Sequence, residues 1–319
     1  MKAIVRERYG SPDGLRLREI AKPTVENDRV LVSVRAASVN AADWHMLGRL
    51  PQVIALFLRA PTSRVCGLDL AGVVETVGKN VTRFKPGDEV FGAGLGAFAE
   101  YATAFERGLA PKPRRLTFDE AAAIPVAGVT ALQGLRDKAH LEPGQTVLIY
   151  GAGGGVGTFA IQIAKALGAH VTAVTSTTNV ALVRAIGADE VVDYTKEEFT
   201  RRGQRVDVFF DVGGNRSFAD CRRMLTSHGT LVLAGASGDA LTALTRLLAA
   251  PLVSRFGSQR VTPFLARVRH EDLVALKDLV DAGTVSPVID RRYSLGDVPD
   301  ALRYLGTRQA RGKVVINVA

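Results

Sequence analysis

The chain has 319 residues, 47% hydrophobic and 23% charged, the balance of a folded globular protein with material for two cores. Its longest unbroken apolar run, Val53 to Leu58, falls far short of the roughly 20 residues a membrane-spanning helix needs. The formal charge is +9, but the arginines come as scattered pairs among acids and no basic run exceeds two residues, so the charge reads as solvated surface rather than a nucleic-acid footprint.

The first ten residues pass directly into a strand pattern, without the apolar core of a secretory signal or the composition of a transit segment, and a cytoplasmic location is the expectation. Strand-like runs follow at 2–6, 15–19, 30–37, 70–77 and 89–92, separated by turn signals such as Lys85-Pro86-Gly87-Asp88. An irregular segment, 43–62, interrupts them. Helices are scarce, so this part of the chain predicts a partly open β-barrel. From Thr117 the character changes: an N-cap threonine, acids in the first turn and a run of alanines predict a helix, and the domain boundary is placed there.

Residues 146–176 then read as strand, glycine turn, helix and second strand. Val147, Leu148, Ile149 and Tyr150 form the continuous apolar run of a parallel strand covered on both faces. Val156, Phe159, Ala160, Ile163, Ala164 and Leu167 recur at helical spacing, and Gly168 stops the helix. The turn between them, Ala152-Gly153-Gly154-Gly155-Val156-Gly157, suits a pyrophosphate, which reaches the N–H groups of a helix N-terminus only where no Cβ intervenes. Counted from Gly151 the fingerprint fails at its last position, whereas Ala152, Gly154 and Gly157 give A-x-G-x-x-G, and that register is adopted. A glycine fingerprint alone is an ordinary strand-to-helix turn; the strand before it, the helix after it and the second β-rich run supply the context for a dinucleotide. Where an NAD site usually carries an acid for the ribose 2′-OH, this chain has Ser176, Thr177, Thr178 and Asn179, so NADPH is expected over NADH.

The alternation continues with a helix at 180–186, strands at 190–193 and 206–212, a helix at 217–225 and a strand at 230–235, which implies a parallel, doubly wound sheet. The next stretch suggests an apolar helix over 241–250 and a short strand around 264–268. A helix at 273–281 ends near Gly283, and strands within 287–295 and 312–318 flank a helix at 298–305. These last elements are assigned back to the first domain. The expected fold class is therefore α/β, with a barrel-like catalytic domain, 1–118 completed by 284–319, and a dinucleotide-binding domain, 119–283. Cys66 and Cys221 are too isolated for a disulfide framework and read as buried small hydrophobes.

Seven segments, AASVNAADW (36–44), GLDLAGVVETVG (67–78), FKPGDEVFG (84–92), AEYA (99–102), LIYGAGGGVGTFAIQIAKALGA (148–169), ADEVVDY (188–194) and ARGKVVI (310–316), together resemble the medium-chain dehydrogenase/reductase superfamily. Within it the chain is similar to the zinc-independent quinone oxidoreductase-like branch, over essentially its whole length. The resemblance implies a GroES-like catalytic domain, a Rossmann domain and a cleft between them where nicotinamide meets substrate. Zinc-dependent relatives place a Cys shortly before the segment matching Asp43 and a His-Glu pair in the segment matching 67–72; here those places hold Val39 or Asn40, and Leu68-Asp69. No cysteine lies between Phe91 and Pro111, and none of His45, His140, His170, His228 and His270 makes a ligand spacing with another, so no metal site is expected.

Without a Lewis acid, the chemistry that remains is hydride transfer to an acceptor already electron-poor, and quinones and conjugated enones fit. The expectation is an NADPH-dependent reductase of small electrophilic quinones or α,β-unsaturated carbonyls. The alternatives are an enoyl thioester reductase and a non-enzymatic NADPH- or RNA-binding protein. Reductases of the first kind use a Tyr soon after the Asn matching Asn40, and none lies between Tyr9 and Tyr101; only the basic charge suggests the second.

By resemblance, cofactor contacts extend to Thr130, to Tyr194 beside the adenosine ribose, to Gly213 and Gly214 after Asp211, to Ala234 and Gly235, and to Phe264, Arg311 and Lys313. Family members often carry Lys where Asn179 stands. The same resemblance places Asn40, Trp44 and His45 on the substrate side of the nicotinamide, with Asn40 hydrogen-bonding the cofactor or an acceptor oxygen, Trp44 as a wall and His45 as proton donor. The alternative has Trp44 as simple packing and His45 facing solvent. Relatives of this branch commonly pair as homodimers through the edge of the Rossmann sheet, which falls on the strand expected near 264–268.

Overall fold

The computed structural model describes residues 1–47, 64–234 and 258–318. Strands β1 (Lys2–Arg6) and β2 (Leu15–Glu19) pair antiparallel as a small sheet. β3 (Arg29–Val39), helix α1 (Ala41–Leu47), β4 (Asp69–Val77), β5 (Glu89–Ala93), β6 (Tyr101–Phe105) and β7 (Leu109–Pro111) follow. α1 lies in part of the stretch expected to be irregular. Its first turn forms because the Asp43 carboxylate accepts the Asn40 N–H at 2.8 Å, a local cap that the hydrophobic pattern does not show. The rest of that irregular stretch lies outside the described residues.

Next come α2 (Phe118–Ala122), α3 (Pro125–Leu132) and a π-helical turn over Gln133–Lys138. α2 opens as expected: Thr117 accepts the Glu120 N–H while Glu120 accepts the Thr117 N–H. β8 (Thr146–Tyr150), α4 (Gly155–Ala166), β9 (His170–Thr175), α5 (Val180–Ala185), β10 (Glu190–Asp193), β11 (Val206–Asp211), α6 (Phe218–Arg223), β12 (Leu225–Leu233) and β13 (Arg260–Pro263) complete a six-stranded parallel sheet in the order β10-β9-β8-β11-β12-β13. Counted along the chain this order is 3-2-1-4-5-6, which reverses between β8 and β11. α7 (His270–Asp281), β14 (Ile289–Ser294), α8 (Val298–Gly306) and β15 (Lys313–Asn317) end the described chain, with β15 joining the larger first sheet, β14-β15-β3-β4-β5-β7, in which β6 also pairs with β3.

Two compact units result. One comprises residues 1–129, 268–283 and 287–319, the other residues 130–267 and 284–286. The first has a core of Ile4, Leu15, Val32, Leu70, Phe98, Val314 and Ile316; the second packs Leu148, Val174, Phe199, Phe209, Leu231 and Val261 around its sheet. The boundary expected after residue 118 shifts, because α2 packs on β3 and β4, Asp69 of β4 accepts the Val126 N–H, and α7 packs on β7. Residues 119–129 and 268–283 therefore group with the first unit.

The strand expected near 264–268 is a correction. The strand is β13, at Arg260–Pro263, parallel to β12 with Leu231 opposite Val261. Beyond it, Gln133 donates to the Arg267 carbonyl at 2.8 Å and accepts the Arg267 N–H at 3.2 Å, so a side chain rather than a neighbouring strand satisfies that backbone. The helix expected over 241–250 lies outside the described residues.

Candidate functional site

In the second unit, β8 delivers the chain to Gly151, whose φ of +86° is open to glycine at no steric cost. Gly154 then stands at the N-cap of α4, and the first helical bond runs from the Thr158 N–H to the Gly154 carbonyl, so the N–H groups of Gly155, Val156 and Gly157 have no partner within the helix. The glycines of this turn answer to different constraints. A methyl group at Gly157 would overlap the carbonyl oxygen of Gly151, so the fold itself requires glycine there. One at Gly154 would meet only that oxygen, at an ordinary 3.6 Å, and φ there is −87°. Among the described residues nothing demands glycine at 154, whereas a phosphate on the helix N-terminus would.

Asn179 lies across Gly153, with Nδ2 2.6 Å from where a methyl would sit, and its Oδ1 is buried without a hydrogen-bond partner. That orphaned acceptor, beside a turn of unspent N–H donors, fits a ligand carrying both hydroxyl and phosphate groups. Ser176 and Thr178 share a 3.1 Å hydroxyl contact next to it.

The ribose end differs from the sequence expectation in one respect. Thr177 donates to Asp193 of β10 at 2.5 Å, and Thr195 gives the same carboxylate its N–H and hydroxyl. These bonds, that from Thr177 foremost, hold the Asp193 carboxyl below the usual carboxylate range. The four-residue stretch carries no acid in sequence, but pairing Asp193 with Thr175 on the neighbouring strand brings one to it in space. Tyr194 follows, 44% exposed, with its ring edge-on to Tyr150 at 6.4 Å.

At the reversal point of the sheet, the Gly214 N–H bonds the buried Asp211 carboxylate at 2.7 Å, the Gly213 N–H bonds the Tyr150 carbonyl at 3.1 Å, and the Ala234 N–H bonds the Asp211 carbonyl at 3.0 Å. Gly213, Gly214 and Ala234 thus gather at the carboxyl ends of β8, β11 and β12; Gly235 lies outside the described residues. Thr130 is buried on α3, and the Phe264 ring, with Phe210, covers Gly134 of the π-helical turn.

In the first unit, Lys313 is 3% exposed and spends its three N–H groups on Asn40 Oδ1 at 2.7 Å, the Val39 carbonyl at 3.2 Å and Asp69 Oδ2 at 3.4 Å. Asn40 Nδ2 donates to Asp69 Oδ2 at 2.9 Å, Ser38 donates to the same oxygen, and Asp69 Oδ1 accepts the Val126 N–H at the start of α3. Burial pushes the Asp69 carboxyl up and the Lys313 ammonium down, each opposed by the charge of the other. Lys313, expected to bind cofactor, therefore faces inward onto Asn40. Asn40 is itself buried, whereas Trp44 and His45 are exposed on α1, the Trp44 indole against Gly306. The structure does not turn the Asn40 amide toward the exposed side chains of Trp44 and His45. Arg311 is exposed, its N–H bonded to Asp290.

Sequence reasoning passed over Asp43 and Asp69 as site residues, although both stand in the quoted segments. The available signal was the pairing of a buried-strand acid, Asp69, with a lysine in an otherwise apolar strand, Lys313. No group of three His, Cys, Asp or Glu stands together among the described residues. At the places where zinc-dependent relatives carry ligands, Asn40 and Asp69 are bonded to each other and to an ammonium, a donor set that does not fit zinc.

Residues 26–114 match the alcohol dehydrogenase GroES-like domain, and 186–316 the zinc-binding dehydrogenase family. The chain is 36% identical to a 2-methylene-furan-3-one reductase of Solanum lycopersicum over 99% of its own length and 79% of the relative's. It is 34% identical, with the same coverage, to a chloroplastic NADPH-dependent alkenal/one oxidoreductase of Arabidopsis thaliana. The solved quinone oxidoreductase of Coxiella burnetii superposes with a TM-score of 0.87 at 30% identity, over 100% of this chain and 99% of that one.

Proposed function

The chain belongs to the medium-chain dehydrogenase/reductase superfamily, in its quinone oxidoreductase-like branch, and from that premise we propose that it is an NADPH-dependent reductase of quinones or α,β-unsaturated carbonyls working without a catalytic metal. The observation that carries this reading is Gly154, a helix-capping glycine for which the described residues give no steric reason. The N–H groups of residues 155–157 would hold the pyrophosphate, Asn179 and the Ser176 to Thr178 hydroxyls the adenosine ribose, and Gly213, Gly214 and Ala234 would border the nicotinamide end.

The bound nicotinamide would supply hydride. The protein's own part is to hold the acceptor and exclude water. Trp44 offers a flat exposed surface and His45 an exposed imidazole on the same helix, so both remain assigned to the acceptor side. Asn40 is reassigned to support from within, holding the start of α1. Two buried carboxylates beside a single ammonium favour this metal-free account, because Lys313 already provides the positive charge at that place.

A homodimer through β13 is part of the proposal, since among the described residues the parallel sheet ends on that strand. A cytoplasmic location is also retained; no described helix is long and apolar enough to cross a membrane. The deciding experiment is NADPH oxidation by the purified protein against a panel of quinones, enones and enoyl thioesters. Turnover with the first two is expected. Turnover confined to enoyl thioesters would move the protein to the alternative enzyme class, and no turnover with any acceptor would refute the reading.

A further inference from the structure

Asp43 is buried on α1, yet only one of its carboxyl oxygens is bonded. Oδ2 accepts the Asn40 N–H, and Oδ1 has no partner. The same residue lines a cavity of about 30 Å³, enough for a single water, together with Arg6, Met46, Cys66, Leu68 and Phe98. Among the described residues, Asp43, Arg6 and Cys66 are the polar side chains that line it; the other walls named are apolar.

Among the described residues, the charged and titratable groups facing Asp43 come from three strands and the segment before β4. Asp69 on β4 repels it and Lys313 on β15 attracts it, while Arg6 on β1 and Cys66 on the segment before β4 border the cavity. Arg6 is turned onto the Tyr9 ring at 4.2 Å and donates to the Met46 carbonyl. Burial pushes the Cys66 thiol up to about 11, so it stays neutral. Two buried carboxyls thus share one ammonium, and Lys313 contacts Asp69. Among the described residues Asp43 has no cation at bonding distance, and burial, with the Asp69 charge adding to it, pushes its carboxyl up to about 7.

We propose that Asp43 stores the proton consumed in each reduction and passes it through a water in this cavity toward the reduced acceptor. The proposal rests on the reductase reading above. In the balanced step the acceptor carbon takes a hydride, the acceptor's π electrons move onto its oxygen, and the O–H bond of Asp43 breaks as the relayed proton neutralises that oxygen. Solvent then reprotonates Asp43, so one external proton is consumed for each hydride transferred. Asp43 touches no reacting atom and is a positioning residue. Holding Oδ1 protonated also gives the otherwise unpaired atom a hydrogen bond to the water.

The test compares wild type with Asp43→Asn and Asp43→Glu, using NADPH with methyl vinyl ketone and with menadione, in H2O and D2O, from about pH 5.5 to 9. Wild-type kcat is expected to fall above about pH 7 with a solvent isotope effect. Asp43→Asn should lower kcat at least tenfold, flatten the pH profile and remove the isotope effect while KM for NADPH holds, and Asp43→Glu should restore the alkaline limb. An Asn variant that keeps wild-type kcat, pH limb and isotope effect overturns the proposal. If that variant does not fold, infrared titration of the wild type decides: a protonated-carboxyl band lost near pH 7 and shifted in Asp43→Glu supports the proposal, and its absence overturns it. A wild type that oxidises NADPH with neither acceptor refutes the reductase reading instead, and the infrared result then still decides whether Asp43 stores a proton.

Discussion

Lys313 Nζ lies 2.7 Å from Asn40 Oδ1, joining through a buried hydrogen bond two residues separated by most of the chain. The contact closes β15 onto the end of β3, where Val314 pairs with Val39, and it places an ammonium beside Asp69. Its energetic weight follows from burial, since Asp69 is fully enclosed and Lys313 almost so.

Lys313→Met should therefore cost about 3–5 kcal/mol of stability, because it leaves the Asp69 carboxylate buried without its cation. Lys313→Met combined with Asp69→Asn should recover part of the loss. Urea midpoints of the single and double variants check this. A single variant with native stability but weakened NADPH binding would return Lys313 to the cofactor site.

The glycine turn separates fold from ligand. Gly157→Ala should destabilise by several kcal/mol, since the methyl has only backbone to displace. Gly154→Ala should leave the melting temperature within about 2 °C, yet weaken NADPH at least tenfold, because its methyl points where the phosphate would lie. Fluorescence titration with NADPH alongside thermal melts measures both. Equal NADPH affinity in Gly154→Ala and wild type would mean that the register is wrong.

That contrast marks where the sequence was legible. The strand, turn and helix at 146–176 were readable because period, glycines and length agree within one short segment, and the cap at Thr117 is equally local. Asp193 beside Thr177 was not, since strand pairing rather than sequence proximity creates the contact. The inward turn of Lys313 was hidden for the same reason: the resemblance offers it only as a cofactor contact until β15 is laid against β3. The end of β13 escaped because a glutamine more than 130 residues away takes the place of a strand.

Asp193 should set cofactor selectivity. Its carboxylate would repel a 2′-phosphate at the Ser176 to Thr178 hydroxyls, while the Thr177 and Thr195 bonds keep it ionised. Asp193→Asn should raise the ratio of kcat/KM for NADPH to that for NADH by about 5- to 20-fold, or roughly 1–2 kcal/mol. A ratio unchanged by the substitution would place the 2′ position elsewhere.

Asp43 should make stability fall with rising pH. Its folded carboxyl holds a proton up to about pH 7, whereas an unfolded aspartate loses it near its ordinary value of 3.8. Between those values the folded state binds more protons than the unfolded state, so stability declines as pH rises and levels off above about 7, by roughly 4 kcal/mol in all. Asp43→Asn should flatten that window. Denaturant unfolding at successive pH values, compared between the two proteins, measures the slope; parallel curves would show that Asp43 is ionised throughout.

The remaining prediction concerns Asn40. Its carbonyl is held by Lys313 and its amide by Asp69, with the Ser38 carbonyl at 3.5 Å, so donating to an acceptor oxygen would mean breaking a buried bond. If Asn40 acts from within, Asn40→Ala leaves Lys313 and Asp69 each short of a partner, and stability should fall by about 1–3 kcal/mol together with kcat/KM. If Asn40 touched the acceptor, kcat would fall with stability unchanged. His45→Ala should show the opposite signature to a buried residue: near-native stability, because the side chain is exposed, and a weaker kcat/KM for the acceptor, because a group on the acceptor side has gone. Melting curves and acceptor kinetics of both variants separate these cases. Loss of kcat in Asn40→Ala at native stability would restore it to the acceptor side, and an unchanged kcat/KM for the acceptor in His45→Ala would remove His45 from it.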